Sequence, residues 1–261
     1  MSCVHKSCRW SVGLVVLVWV MGMVSLGIAY EYKVSLAVLP PVVSQPATHQ
    51  AKKTVKHESI TSKKQRFFQK MRPLVDAENQ RVMEQRLFLQ TIHEKTELSP
   101  AEQTRLDALL QTYRIQRDVQ GDVPWDEVWA RVDMVPPALV LVQAANESAW
   151  GTSRFAREGN NYFGEWCFQQ GCGLVPLHRK EGAIHEVKVF PSPQLSVRSY
   201  LHNLNTKSAY QALRAIRAQQ RMQGQEPTAE ALAEGLLRYS ERGQAYVESI
   251  QKMLEHNRAY M

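Results

Sequence analysis

Glu147 has the surroundings of a side chain that could transfer a proton. It follows the apolar run 139–145, which is typical of a buried helix, and Gly151 can end that helix soon afterwards. Residues three apart share a helix face, so we expect Trp150 beside Glu147. An aromatic wall hydrates a carboxylate poorly and raises its pKa, which suits proton donation near neutral pH. A Glu at a helix end is also common without chemistry.

Aromatic and amide side chains follow Glu147 along the chain. Flat aromatic faces suit sugar rings, and side-chain amides can bind sugar hydroxyls, so the cluster predicts a glycan-binding groove. The alternative interpretation is that the aromatic residues belong to the core. The cluster consists of Trp150, Asn160, Asn161, Tyr162, Phe163 and Trp166.

Composition favours an anionic partner other than nucleic acid. The 261 residues, 44% of them hydrophobic, suffice for one domain with extra segments or for two small domains. A net charge of +7 favours anionic surfaces. No dense basic stripe interleaved with aromatics is present, so a bacterial cell wall fits at least as well as nucleic acid.

The N-terminus predicts export. Residues 10–30 are uncharged and long enough to cross a bilayer, and they follow Lys6 and Arg9. We expect residues 1–30 to form a signal anchor that leaves a single-pass inner-membrane protein with its body in the periplasm. The alternative is a cleaved signal peptide and secretion to the periplasm.

Two cysteines, Cys167 and Cys172, fall on the predicted exported side, where disulfides persist. A disulfide is the favoured interpretation, with free thiols as the alternative. A metal site would need further ligands, and His178 and His185 do not have a recognisable spacing. The sequence also has no glycine-rich phosphate loop and no Ser-His-Asp pattern, so no cofactor and no metal are expected.

The rest of the chain predicts an α+β fold dominated by helix. Residues 31–61 are polar and proline-interrupted, as in a flexible linker. A helical part is expected over 62–120, with a break or kink at Pro73 and a capping box at Ser99. The chemistry lies in a core over 121–261, which includes a hairpin predicted within 173–190.

Three ordered motifs make residues from about 120 to 210 resemble the glucosaminidase family of bacterial cell-wall hydrolases, and we expect residues 62–261 to form one domain of this type. They are Asn-Glu-Ser-Ala-Trp-Gly at 146–151, Gly-Asn-Asn-Tyr-Phe-Gly at 159–164, and Phe-Pro-Ser at 190–192 followed by Ser-Val-Arg-Ser-Tyr at 196–200. The resemblance implies a lysozyme-like fold with a small β-hairpin lobe. It also implies hydrolysis of the β-1,4 bond that follows N-acetylglucosamine in peptidoglycan glycan strands.

The resemblance also implies roles for individual residues. Glu147 matches the general acid, and Tyr200 falls near a tyrosine of the substrate groove. The family's second carboxylate lies on the hairpin lobe, but this sequence has His178 and Arg179 near that position. We therefore expect Glu186 to supply the second carboxylate. The other acids considered for this role are Glu181 and Glu165.

Two rival functions fit the same residues. A lytic transglycosylase also uses one catalytic Glu followed by Ser on a related fold. The other rival is a membrane-tethered protein that binds peptidoglycan without catalysis. The missing acid at the aligned hairpin position supports it, and likeness of fold alone does not fix function.

Overall fold

Residues 59–261 are described by a computed structural model, and a long helix, α1 (Ile60–His93), opens this part of the chain. The predicted segment 1–30 and nearly all of the predicted linker 31–61 lie outside the described residues. Between Ser59 and Met261, no helix combines the length and the apolar character that crossing a bilayer requires.

Helix α1 runs through Pro73 without interruption. Of the two effects expected of Pro73, a break or a kink, the break is therefore wrong. A proline inside a helix costs roughly 3 kcal/mol because it removes one backbone hydrogen bond and crowds the preceding turn. The face around it buries Phe68, Met71 and Val75 completely or nearly so. Burial of each such side chain contributes about 1.5–3 kcal/mol, which outweighs the cost of the proline.

Eight shorter α-helices follow α1 in the described residues. The predicted capping box is present at the start of α2, where Ser99 Oγ accepts from the Glu102 backbone N–H and Glu102 accepts from the Ser99 backbone N–H at 2.9 Å. These helices are α2 (Pro100–Thr112), α3 (Trp125–Arg131), α4 (Pro137–Glu147), α5 (Arg154–Gly159), α6 (Pro193–Thr206), α7 (Gln211–Met222), α8 (Ala229–Ala233) and α9 (Gln244–Asn257).

A small antiparallel sheet lies between α5 and α6 in the chain. Its strands are β1 (Trp166–Cys167), β2 (Gly173–Leu174) and β3 (Glu186–Lys188), in the order β1-β3-β2. The predicted hairpin corresponds to β2 and β3, whereas β1 was not predicted. Gly173 is required in β2, since a Cβ there would lie 2.1 Å from the Val187 carbonyl oxygen.

Helix α4 is the centre of the main hydrophobic core. All residues from Leu139 to Ala145 are fully buried, and α1, α8 and α9 pack around them. The apolar run that precedes Glu147 in the sequence is therefore buried on every side, as its composition indicates. A second core cluster lies between the C-terminal half of α1 and the helices α2 and α3.

A buried carboxylate, Glu78, ties α1 to α6. It accepts hydrogen bonds from Arg198 at 2.9 Å, from Arg81 at 2.9 Å and from Gln194 at 2.9 Å. Burial by itself raises the pKa of Glu78, but the bonds from these three side chains outweigh it and leave the pKa below its ordinary value. The charged form is therefore the one that the folded protein stabilises.

Replacing Glu78 with Gln should lower the free energy of unfolding by about 1–3 kcal/mol, because the hydrogen bonds to a charged acceptor are lost. Asp76→Asn on the same helix is the matched control, since its pair with Arg72 is largely exposed and is worth roughly 0–1 kcal/mol.

The stabilisation by Glu78 should depend on pH. The pKa of Glu78 is lower in the folded state, so its contribution to the free energy of unfolding is complete above the unfolded pKa and is lost as pH falls through the folded pKa. Urea unfolding at neutral and acid pH measures both effects. A Glu78→Gln difference that did not shrink in acid would contradict this assignment.

Candidate active site

A groove of about 600 Å³ runs past the end of α4, between α6 and the small sheet. Its floor is aromatic and its walls carry two acids, Glu147 and Glu165. The residues that line it are Glu147, Phe155, Phe163, Gly164, Glu165, Trp166, Phe168, Val187, Tyr200, Asn203, Leu204, Lys207, Tyr210 and Tyr239.

Ser148 ends α4 immediately after Glu147. Its hydroxyl donates to the Ala144 carbonyl at 2.6 Å and accepts from the Gly151 N–H at 2.7 Å. The three following residues are all left-handed, with φ of 50° at Ala149, 62° at Trp150 and 74° at Gly151. Each non-glycine residue in that region costs about 1–2 kcal/mol, so the bonds of Ser148 offset a locally strained turn.

This turn carries Trp150 away from Glu147. The Trp150 ring packs against α1, with its centroid 5.8 Å from that of Phe67 and 5.4 Å from that of Phe68, and it does not line the groove. The expectation that Trp150 lies beside Glu147 is therefore wrong. Residues three apart share a face only while the helix continues, and α4 ends at Glu147.

A tyrosine from α9 holds the Glu147 carboxylate. The Tyr246 hydroxyl donates to Glu147 Oε1 at 2.9 Å, and the Asn146 amide donates to the same oxygen at 3.0 Å. Among the described residues, Oε2 of Glu147 has no hydrogen-bond partner. The half-buried carboxyl group of Glu147, which lines the groove, is thus fixed through one oxygen, and its other oxygen is free of hydrogen bonds from the described residues.

The bond from Tyr246 is the last of a buried chain of hydrogen bonds. Tyr200 donates to Gln143 Oε1, and the Gln143 amide donates to the Tyr246 hydroxyl at 3.0 Å. Burial raises the pKa of Tyr246, and the negative charge of Glu147 raises it further. Tyr246 therefore stays protonated and remains a donor to Glu147.

Glu165 is the second acid of the groove. It accepts from Lys188 Nζ at 3.1 Å, from the Ser199 hydroxyl at 2.7 Å and from the Asn203 amide at 3.0 Å. Burial raises the pKa of Tyr210 in the groove, and the charges of Glu147 and Glu165 both add to this rise. The charges of Glu147 and Glu165 therefore both act on Tyr210, which lines the same groove.

Glu186, expected to supply the second carboxylate, does not line the groove. Alternation along β3 turns Val187 toward the groove and Glu186 away from it. The buried Glu186 carboxylate accepts from the Gly171 N–H at 3.0 Å and from the Gly173 N–H at 2.8 Å. These two backbone bonds hold the pKa of Glu186 below its ordinary value. The Glu186 side chain therefore holds in place the loop that contains Gly171 and Gly173.

That loop carries part of the groove's aromatic wall. Cys167 and Cys172 form a disulfide, and their sulfurs lie within 4.8 Å of the Glu186 carboxylate. Sulfurs that are bonded to each other are not thiolate ligands, so this cluster is a cross-link in the structure. The two groove residues on either side of Cys167 are Trp166, stacked on His185 at 4.3 Å, and Phe168, which is 63% exposed.

The other predicted binding residues divide into two groups. Phe163 and Tyr200 line the groove and stack on each other with centroids 4.0 Å apart. Asn161 is buried, and its amide donates to the carbonyls of Glu165 and Lys188. Tyr162 is buried with its hydroxyl 2.7 Å from Lys70 Nζ. Asn161 and Tyr162 therefore shape the loop and do not line the groove.

Sequence reasoning missed several groove residues and Tyr246. In the sequence, Tyr246 belongs to the ordinary apolar stripe of α9 together with Val247, Ile250 and Leu254. Nothing in that stripe distinguishes a tyrosine that reaches a carboxylate from one that fills a core. The missed residues that line the groove are Phe155, Gly164, Phe168, Val187, Asn203, Leu204, Lys207, Tyr210 and Tyr239.

Comparison with known proteins gives the family. The profile of the glucosaminidase family, described as mannosyl-glycoprotein endo-beta-N-acetylglucosaminidase, matches residues 125–259. The chain belongs to this family. Protein bax of Escherichia coli strain K12 is 34% identical over 203 residues, which cover 77% of this chain and 72% of that protein.

A solved structure is also similar in part. It is a type VI secretion system effector–immunity complex from Pseudomonas protegens, 26% identical, and the match covers 48% of this chain and 78% of that one with a TM-score of 0.31.

The family expected from the three motifs is confirmed, and so is the α+β fold class. The domain is mostly helical and lysozyme-like, with a three-stranded antiparallel sheet as its β lobe. Membership supports glycoside hydrolase activity in general and a glycan as the substrate class.

Loosening the disulfide loop should weaken glycan binding. In Glu186→Gln one acceptor oxygen is replaced by a donor, so one of the two loop N–H groups loses its partner and Trp166 and Phe168 become less fixed. We expect the dissociation constant for N-acetylglucosamine oligomers, measured by calorimetry, to rise by roughly threefold to tenfold. Reduction of the disulfide between Cys167 and Cys172 should also raise this dissociation constant. Glu181→Gln in the exposed turn is the control, and an equal change in that variant would refute the role of Glu186.

Proposed function

We propose that this protein is an exported peptidoglycan hydrolase that cleaves the β-1,4 bond following N-acetylglucosamine, with Glu147 as the general acid. The observation that carries the proposal is the placement of the Glu147 carboxyl group. It is anchored through Oε1 by Tyr246 and Asn146, and Glu147 lines an aromatic groove of about 600 Å³. An acid must be fixed within hydrogen-bond reach of the atom that it protonates.

In the proposed reaction, Glu147 transfers its proton to the glycosidic oxygen as the bond from that oxygen to the anomeric carbon breaks. The electrons of the bond leave with the oxygen, and positive charge develops at the sugar. Trp166, Phe168 and the stacked rings of Phe163 and Tyr200 form the surfaces on which sugar rings would lie.

We assign the second carboxylate to Glu165 in place of Glu186. Glu165 lines the same groove as Glu147, and its three hydrogen-bond donors hold it in place. Its charge would stabilise the sugar cation, and it would accept a proton from the attacking water. The alternative is attack by the acetamido group of the substrate itself, which occurs in some glycoside hydrolases.

Glu147→Gln should reduce the release of muropeptides from purified peptidoglycan by at least about a thousandfold, because Gln has no proton to give near neutral pH. The fold should persist, since the Gln carbonyl can still accept from Tyr246. Glu158→Gln, an exposed acid on α5, is the matched control. Undiminished lysis by Glu147→Gln would exclude the role.

Glu165→Gln in the same assay separates the two routes for the second step. If Glu165 activates the attacking water, Glu165→Gln should lower the release of muropeptides by about a hundredfold or more. Activity close to that of the unchanged protein would favour the acetamido route.

Mass spectrometry of the products then identifies the reaction. Reducing N-acetylglucosamine ends support the hydrolase, and anhydro-muramic ends would identify a lytic transglycosylase. Binding to peptidoglycan without any product would identify a protein that binds the wall without catalysis.

Tyr246→Phe should lower kcat by about tenfold to a hundredfold, because a hydrogen bond to a charged group is worth about 1.5–3 kcal/mol and here it orients the acid. Tyr113→Phe is the matched control, because its hydroxyl donates to Gln85 at 2.6 Å in the second core cluster. The control should lose stability without losing activity per folded molecule. Steady-state kinetics together with thermal melts distinguishes the two variants, and equal activity losses in both would contradict the role of Tyr246.

We also propose that residues 1–30 anchor the protein in the inner membrane with residues 62–261 in the periplasm. The charge pattern around residues 10–30 supports this orientation. The disulfide between Cys167 and Cys172 supports export, since disulfides persist in oxidising compartments. Cleavage of the segment and release into the periplasm is the alternative, and the mass of the purified mature protein distinguishes the two.

A further inference from the structure

Four tyrosines lie close enough to Glu147 for its charge to raise their pKa values. Three of them use their hydroxyl groups for hydrogen bonds within the protein, namely Tyr200, Tyr239 and Tyr246. The hydroxyl of the fourth, Tyr210, has no hydrogen-bond partner among the described residues. Tyr210 lines the groove, so it has an O–H group that is free to bind a ligand there.

Tyr210 is held in position by its backbone and its ring. It is the last residue of a 3₁₀ turn, Ser208–Tyr210, which connects α6 to α7. Its N–H donates to the Lys207 carbonyl at 3.1 Å, and the buried Arg214 donates to the same carbonyl at 2.8 Å. The Tyr210 ring lies against Tyr239, with the ring centroids 6.0 Å apart. These contacts fix Tyr210 without using its hydroxyl group.

Both carboxylates of the groove act on Tyr210. Burial raises its pKa, and the charges of Glu147 and Glu165 raise it further. Tyr210 therefore stays protonated, and its hydroxyl can donate a hydrogen bond. In the proposed reaction the same two carboxylates flank the anomeric carbon at which the glycosidic bond breaks. Tyr210 is therefore close to the sugar that reacts.

That sugar carries a hydrogen-bond acceptor beside its anomeric carbon. In N-acetylglucosamine the neighbouring ring carbon bears an acetamido group, whose carbonyl oxygen only accepts hydrogen bonds. An ionised carboxylate also only accepts, so it cannot bind this oxygen, whereas a protonated tyrosine can. The methyl group of the acetamido group is apolar, and the rings of Tyr210 and Tyr239 offer an apolar surface for it.

We propose that the Tyr210 hydroxyl donates a hydrogen bond to the acetamido carbonyl oxygen of the sugar at the bond to be cleaved, and so makes the groove selective for N-acetylated glycans. The inference rests on the proposed function, because Glu147 and Glu165 define where the reacting sugar lies. The role of Tyr210 is in substrate binding and specificity, and its hydroxyl keeps its proton throughout.

Calorimetry with two tetramers tests the assignment. One is a tetramer of N-acetylglucosamine, and in the other each acetamido oxygen is replaced by sulfur, a weak acceptor. All titrations use the full chain with Glu147→Gln, so that the tetramers stay intact. Adding Tyr210→Phe should raise the Kd of the oxygen tetramer by roughly threefold to tenfold, the contribution of one neutral hydrogen bond. The Kd of the sulfur tetramer should change by less than about twofold.

Two results would overturn the proposal. Equal losses of affinity for the two tetramers would show that the Tyr210 hydroxyl binds another group of the sugar. An unchanged affinity for the oxygen tetramer would show that the hydroxyl binds no part of it.

Tyr260→Phe is the matched control. Tyr260 is also partly buried against the main core, and within residues 59–261 its hydroxyl has no hydrogen-bond partner, but it does not line the groove. This variant should leave both Kd values unchanged. Tyr210→Phe should keep the Tm of the unchanged protein, because no hydrogen bond within the described residues is lost. A lower Tm would show that the hydroxyl is used inside the protein and would count against the proposal.

Failure of this inference can be told apart from failure of the proposed hydrolysis. Calorimetry requires no cleavage, whereas the release of muropeptides from purified peptidoglycan does. If the protein released no muropeptides but Tyr210→Phe weakened binding of the oxygen tetramer alone, hydrolysis would be refuted and the acetamido contact would stand. Normal release of muropeptides with unchanged tetramer binding in Tyr210→Phe would give the opposite conclusion.

Discussion

The hydrogen bond from Tyr246 to Glu147 joins the hydrophobic core to the groove. Helix α4 is buried along its whole apolar stretch, so its last residue can move little. The Tyr246 hydroxyl is paired with Gln143 as well as with Glu147, as a buried polar group must be. The acid is therefore oriented by the same packing of α9 on α4 that stabilises the domain. A change in that packing would displace the carboxyl group of Glu147, which lines the groove.

The glutamates of this domain differ in how many of their carboxylate oxygens accept hydrogen bonds. Both oxygens of Glu78 accept from neighbouring side chains, and both oxygens of Glu186 accept from backbone N–H groups. Bonds to both oxygens hold such a carboxylate in one orientation within the fold. Glu147 differs because its two bonds go to one oxygen. Glu165 resembles Glu78 and Glu186, since Lys188 donates to its Oε1 and Ser199 and Asn203 donate to its Oε2. Among these four acids, only Glu147 has an oxygen without a hydrogen-bond partner in the described residues.

Hydrogen bonds join the motifs that lie apart in the sequence. Asn160 donates to the Phe190 carbonyl at 2.9 Å, and the Tyr162 N–H donates to the Ser196 hydroxyl at 3.1 Å. The loop 159–164 is thereby fixed to the start of α6, which places Phe163 and Glu165 on the groove. One motif therefore positions the other, and the polar side chains Asn160 and Ser196 are occupied within the protein.

The sequence by itself determined the family, the helical character, the cap of α2 and the acid at the end of α4. It also indicated the hairpin, and Phe163 and Trp166 as aromatic groove residues. These features follow from periodicity, capping and turn chemistry, which act within a few residues. Only the tertiary structure decided that α1 continues through Pro73, that Trp150 packs on α1 and that Glu165 faces the groove in place of Glu186. It also brought Tyr246 to Glu147 across 99 positions. Contacts between residues so far apart are set by the packing of whole helices, and no local pattern encodes them.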